Sequence, residues 1–292
     1  MNSVVSNRSL FLSPKNIFRL FKYVIYALLT VNVFFFFKED LAASTQVFGD
    51  TVSWRNVIEA YAATFDTAAW VVLLLMFELE TAIIPDRLLK GWLKWTLKGF
   101  SLVAYLIIIY SFYGYVYKYG VITDLVPFSI DDVCSLVGSH FTYVFDLDDY
   151  LPLDQAACTA MNAQELLQIA GTDIIGTQAA LVEATRLAIV DVINAADWLI
   201  IVLLLEAEVY LQMSQKLTDR MMVAGKYIKG FFYMVLFAGA AYWGVKGSFL
   251  DFWDAFLWLV AFILIELNIF QWHSETDEAL IPAATGDHAP TN

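Results

Sequence analysis

Apolar residues gather in six long runs along the chain. They extend from about Phe18 to Phe37, Thr67 to Ile84, Phe100 to Tyr117, Asp197 to Gln212, Phe231 to Val245, and Phe252 to Gln271. A helix needs roughly 20 mostly apolar residues to cross a bilayer. The fourth and fifth runs are short, so their helices are expected to continue past these limits. The pattern predicts an all-α integral membrane protein with six transmembrane helices. Residues 1–17 and 273–292 flank the spans as a cytoplasmic N-terminus and an acidic cytoplasmic tail. Residues 18–118 hold spans one to three, and residues 197–272 hold spans four to six.

Between them, residues 119–196 form an acidic extracytoplasmic loop or cap. Within it, Leu181, Val182, Ala184, Leu187, Ala188 and Val190 recur at helical spacing. A helix over Thr177–Asn194 is therefore expected to run into span four. Ser53 to Phe65 is expected to extend span two on the same side.

Composition agrees with the pattern. Apolar residues make up 60% and charged residues 16% of the chain. Soluble domains average about 45–50% and about 25%. The net charge of −13 excludes a basic nucleic-acid face. The basic residues set the orientation. Arg8, Lys15, Arg19 and Lys22 precede span one. Arg87, Lys90, Lys94 and Lys98 follow span two, and Lys216, Arg220, Lys226 and Lys229 follow span four. These are 12 of the 17 basic residues, and all fall on one side only if there are six spans. Both termini are then cytoplasmic.

Span one has basic residues before it and Leu41-Ala42-Ala43 after it, as a cleavable leader does. Lys38-Glu39-Asp40 and the four phenylalanines Phe34–Phe37 suit a retained anchor better. The segment Gly120–Asn194 carries 11 carboxylates against Arg186 alone, and holds both cysteines. An oxidising exterior permits a Cys134–Cys158 disulfide. The compact chain and short loops fit a bacterial inner membrane.

The spans also contain a repeat. Asp66, Trp70, Glu78 and Glu80 in span two match Asn194, Trp198, Glu206 and Glu208 in span four. Asp254, Trp258, Glu266 and Asn268 in span six take the same register. Each preceding span opens on a lysine: Lys22, Lys98 and Lys229. The chain reads as three parallel helical hairpins about a pseudo-threefold axis, an arrangement of the kind transporters use.

The tryptophans belong near one interface. Eight residues further along is about 12 Å, which puts Glu78, Glu206 and Glu266 near mid-membrane. A charged carboxylate there costs roughly 2.5–3.5 kcal/mol by insertion scales. The functional reading is an ion or proton pathway formed by Glu78, Glu206, Glu266, Glu80, Glu208 and Asn268. The plainer reading has the deeper three bonded to tyrosines and Asn32 across helices. It pairs Glu80 and Glu208 with lysines and arginines of the loops. Asp66, Asn194 and Asp254 either form an outer mouth or cap their helices.

Little else carries chemistry. Asp146 to Asp154 lacks the glycine and closing glutamate of a calcium loop and reads as a solvated acidic surface. There is no Gly-rich phosphate loop, no zinc-protease helix and no serine elbow. The expectation is a non-enzyme without cofactor or metal, whose partners are the lipid bilayer and a monovalent cation or proton. A homo-oligomer or a membrane protein partner is compatible with this. The alternative is a non-transporting subunit or scaffold whose glutamates and acidic segment bind other proteins.

Overall fold

The computed structural model describes residues 14–48, 52–53, 56–85, 88, 90–214, 216 and 218–264. Of the described residues, 76% are helical. Helices are α1 (Pro14–Phe48), α2 (Val57–Ala60), α3 (Ala62–Glu78), α4 (Trp92–Thr123), α5 (Gln155–Met161), α6 (Gln178–Met213) and α7 (Asp219–Lys246). A last helix, α8, is described over residues 249–264. The chain divides into two units, residues 1–29 with 254–292, and residues 30–253.

Among the described residues, four helices are long and apolar enough to cross a membrane: Asn16–Phe48, Trp92–Thr123, Gln178–Glu208 and Arg220–Lys246. Between 17% and 33% of each apolar window is buried. Most of that surface therefore faces outward, as a lipid-facing helix requires. Leu102, Leu106 and Ile109 on α4 and Met234 and Phe237 on α7 are all more than half exposed. A patch of this kind on a soluble monomer would be a liability.

The second apolar run is built differently. Tyr61 interrupts it with φ −130° and ψ 36°, so the extension expected from Ser53 becomes the separate turn α2. At its other end α3 widens into a π-helical segment, Leu79–Ile83. In contrast, the apolar stretch before span four and the span itself form one unbroken helix, α6.

In the larger unit α4 packs along α3 and α6, and α6 along α7. Glycine sets the closest approach. A Cβ on Gly114 would lie 2.8 Å from Ala62 Cβ and 2.9 Å from the Ile58 carbonyl oxygen. Short polar stretches stop and restart the helices. Thr218 accepts from the Met221 amide at the start of α7. Ser248 Oγ accepts from the Asp251 amide at 3.1 Å and donates to Asp251 Oδ2 at 2.8 Å. This reciprocal pair begins α8 in the manner of a capping box.

The segment between α4 and α6 corrects the all-α expectation. It contains a five-stranded sheet of β1 (Leu125–Phe128), β2 (Thr142–Val144), β3 (Tyr150–Pro152), β4 (Leu166–Ile169) and β5 (Ile174–Thr177), in spatial order β1-β4-β5-β2-β3. β4 and β5 form a hairpin with Leu166 opposite Thr177. Its turn passes through Gly171 at φ 77°, where a side chain would be strained. Only β2–β5 is parallel.

The small core is Val133, Leu153, Cys158, Met161, Leu166 and Ile175. The Cys134–Cys158 disulfide is formed, 24 residues apart in sequence. Closing that loop is worth about 3 kcal/mol in the entropic account. A core this small is hard to stabilise without such a staple.

Candidate functional site

Each glutamate of the expected pathway has its own setting. Glu78 ends α3 at the junction with the π-helical segment and is 3% exposed. Segments of this kind are rare and recur at functional sites. Glu80 lies inside that turn, half-buried. Glu206 is exposed on α6 and accepts from Tyr105 Oη of α4 at 3.1 Å. Glu208 accepts from Lys229 Nζ of α7 at 2.7 Å, the pairing with a loop-side lysine foreseen for it. A Cβ on Gly225 would meet Glu208 Oε1, so glycine makes room for that pair. Glu266 and Asn268 lie outside the described residues.

The tryptophans of the first two repeats meet: the Trp70 and Trp198 rings are 6.0 Å apart. Trp258 and Asp254 belong to the other unit. Asp66 faces Tyr115 Oη of α4 at 3.5 Å, the limit of a hydrogen bond. Asn194 is half-buried on α6.

A second constellation is denser. Lys118, near the sheet end of α4, donates to Asp148 Oδ2 at 2.6 Å and lies 3.7 Å from Asp191 Oδ2 of α6. Its side chain is 20% exposed. Glu39 and Asp40 of α1 and Asp251 of α8 are within electrostatic reach of the same ammonium. Asp40 Oδ2 accepts from the amide and hydroxyl of Thr64 at 2.9 and 2.6 Å. Buried Trp243 sits beside Asp191.

Five carboxylates thus surround one lysine. Two of them, Asp40 and Asp148, line a cleft of about 50 Å³ together with Lys118, Ser44, Glu59 and Tyr150. One water needs roughly 10–15 Å³ measured this way, so a few waters or a partly hydrated cation fit. Among the described residues no group of three or more His, Cys, Asp or Glu has the geometry to hold a metal ion.

At the α8 cap, outside the apolar spans, burial raises Asp251 from 3.8 to about 6. Asp148 adds to the rise, and the Ser248 hydrogen bond and Lys118 oppose it. Burial also raises Asp146 and Glu59. The sign for Asp251 follows from linkage. Between pH 3.8 and about 6 the folded protein keeps a proton that the unfolded chain has released. Its contribution to stability is therefore full at the acidic end of that window and is lost as pH rises through about 6. Thermal unfolding of the purified protein in micelles should show this fall. Asp251→Asn should flatten it, and a variant slope as steep as the wild type would refute the assignment.

No pattern along the chain reveals this cluster. Its members come from five distant segments, at 39–40, 118, 148, 191 and 251. One signal was available: Lys118 directly follows the apolar run Phe100–Tyr117 and precedes a segment rich in carboxylates.

Compared with known protein families, with curated proteins and with solved structures, the chain matches none.

Proposed function

We propose that this chain is a multi-pass membrane protein that binds and conducts or transports a monovalent cation or proton. The observation that carries the reading is the gathering of five carboxylates about Lys118, two of which, Asp40 and Asp148, line a water-sized cleft. Excess negative charge in a partly dehydrated cleft concentrates cations. An acid inside a span is by default a functional group, and Glu78 is such an acid, buried beside a π-helical turn.

In this reading the chain crosses the membrane six times as three hairpins. The α3 helix with its π-helical turn, 17 and 5 residues, supplies the second crossing, and α8 continues into the sixth. Both termini are cytoplasmic, and the disulfide-bonded sheet faces an oxidising exterior, as at a bacterial inner membrane. The carboxylate cluster is the outer entry, and Glu78 is the acid further in.

One observation favours a second reading. Glu206 is exposed on the bundle surface, where a partner helix would relieve the cost of facing lipid. That suits a non-transporting subunit or scaffold.

Flux measurements in liposomes separate the two. The purified wild type should carry protons, Na⁺ or K⁺, and Glu78→Gln should lower that flux by ~10-fold or more, the scale of losing 1.4 kcal/mol or more of ion stabilisation, without lowering expression. Absence of flux in the wild type across pH and applied potential would defeat the pathway reading.

A further inference from the structure

We propose that Asp197 is a cation-binding residue inside the helix bundle, taking a proton or a monovalent metal ion at its free Oδ2 oxygen. The assignment deepens the pathway reading, and its flux arm rests on that reading.

Asp197 is 3% exposed. Its Oδ2 is buried and has no hydrogen-bond partner among the described residues. A carboxylate taken out of water without donors or a counter-charge is among the costliest arrangements in a protein. Something positive must accompany it, and among the described residues no side chain hydrogen-bonds this oxygen.

The helix geometry says which way it faces. Glu206 lies nine residues further along α6, which at 3.6 residues per turn is half a turn round. Glu206 is on the exposed surface, so Asp197 points into the bundle. Asp197 thus faces inward and Glu206 outward on the same helix.

The repeat supplies an independent argument. Asp197 directly precedes Trp198, and the matching positions in the other two hairpins are Ala69 and Leu257. Both are buried, at 4% and 1%. An apolar residue therefore satisfies packing at this place, and packing does not call for the acid. Trp198, which stacks near Trp70, fixes the backbone beside it. For a proton, the O–H bond forms at Oδ2, and the proton comes from water and returns to it. For Na⁺ or K⁺, the ionised oxygen supplies one ligand.

Infrared spectra of the full-length protein in lipid test this directly, comparing wild type with Asp197→Asn at about pH 5 and about pH 8, in Na⁺, K⁺ or choline. Asparagine keeps the shape, so folding should be retained, as circular dichroism checks. If the cation is a proton, the wild type shows a protonated-carboxyl band that titrates and that Asp197→Asn lacks. If it is a metal ion, a carboxylate band moves between choline and Na⁺ or K⁺ and is missing in the variant. A band lost in Asp197→Asn that neither pH nor cation moves would overturn the proposal.

Liposome flux should also fall ~10-fold or more in Asp197→Asn, equivalent to 1.4 kcal/mol or more. Undiminished flux would overturn the proposal as well. A wild type without flux but with the responsive band would defeat the pathway reading and leave the binding site standing.

Discussion

Lys118→Met should destabilise the protein by about 3 kcal/mol, near the lower end for breaking a buried ion pair. Methionine keeps most of the side-chain volume and removes the charge. Among the described residues, the lysine is the cation within reach of Asp148, Asp191, Glu39, Asp40 and Asp251. Without it these acids repel one another in a half-buried cleft. The 20% exposure of the lysine side chain is what keeps the estimate from the upper end of the range. The check is thermal unfolding in micelles. Adding Asp148→Asn to Lys118→Met should recover a substantial part of the loss, since neighbouring charges couple by about 0.5–3 kcal/mol. A single variant as stable as wild type would mean that solvent already screens the cluster.

Gly114→Leu should prevent the helices from closing, and Gly114→Ala should cost about 1–3 kcal/mol, the usual range for overpacking. The would-be Cβ sits against the Ile58 carbonyl oxygen and Ala62 Cβ. Neither is the end of a flexible side chain, so relief requires moving α3 and α4 apart. Gly120→Ala is the control: it is on the same helix with nothing within 4 Å of its Cβ, and alanine there should be neutral or slightly stabilising. Size-exclusion profiles and melting temperatures of the three variants decide the matter. Equal behaviour of Gly114→Ala and Gly120→Ala would show that the crossing is looser than the distances imply.

Long apolar helices were legible in the sequence because twenty apolar residues in a row have few other uses. The helix leading into span four was legible too, since Leu181, Ala184, Leu187 and Ala188 hold helical spacing and are all buried. The sheet was not. Its strands are three or four residues long, too short for alternation to stand out. Its pairing order also joins β1 to β4 and β2 to β5, which local pattern cannot reveal. The Tyr61 break and the π-helical turn after Glu78 were equally invisible, because no proline or glycine marks either place.

At the site, residue identities were legible but side-chain directions were not. Glu78 and Glu206 each lie eight residues after a tryptophan, yet one is buried and the other exposed. Helix rotation within the bundle decides that, and a single sequence does not encode it in any pattern a reader can count. The Lys118 cluster was hidden for the opposite reason. Its members are far apart in the chain and only the fold brings them together.

The sheet is joined to its helices almost without slack. Asp124 alone separates the end of α4 from β1, and β5 ends at Thr177 where α6 begins at Gln178. Ala170 N donates to the Asp124 carbonyl oxygen at 2.8 Å, which stiffens the first of these joints. Such a connection acts as a handle on two rods. The 36 residues of α6 make a rod about 54 Å long. Tilting it by ~5° at the sheet would swing its far end by about 5 Å, one helical turn. A small displacement of the disulfide-bonded sheet would thus arrive, magnified, at the far end of α6, beside Glu208 and Lys229.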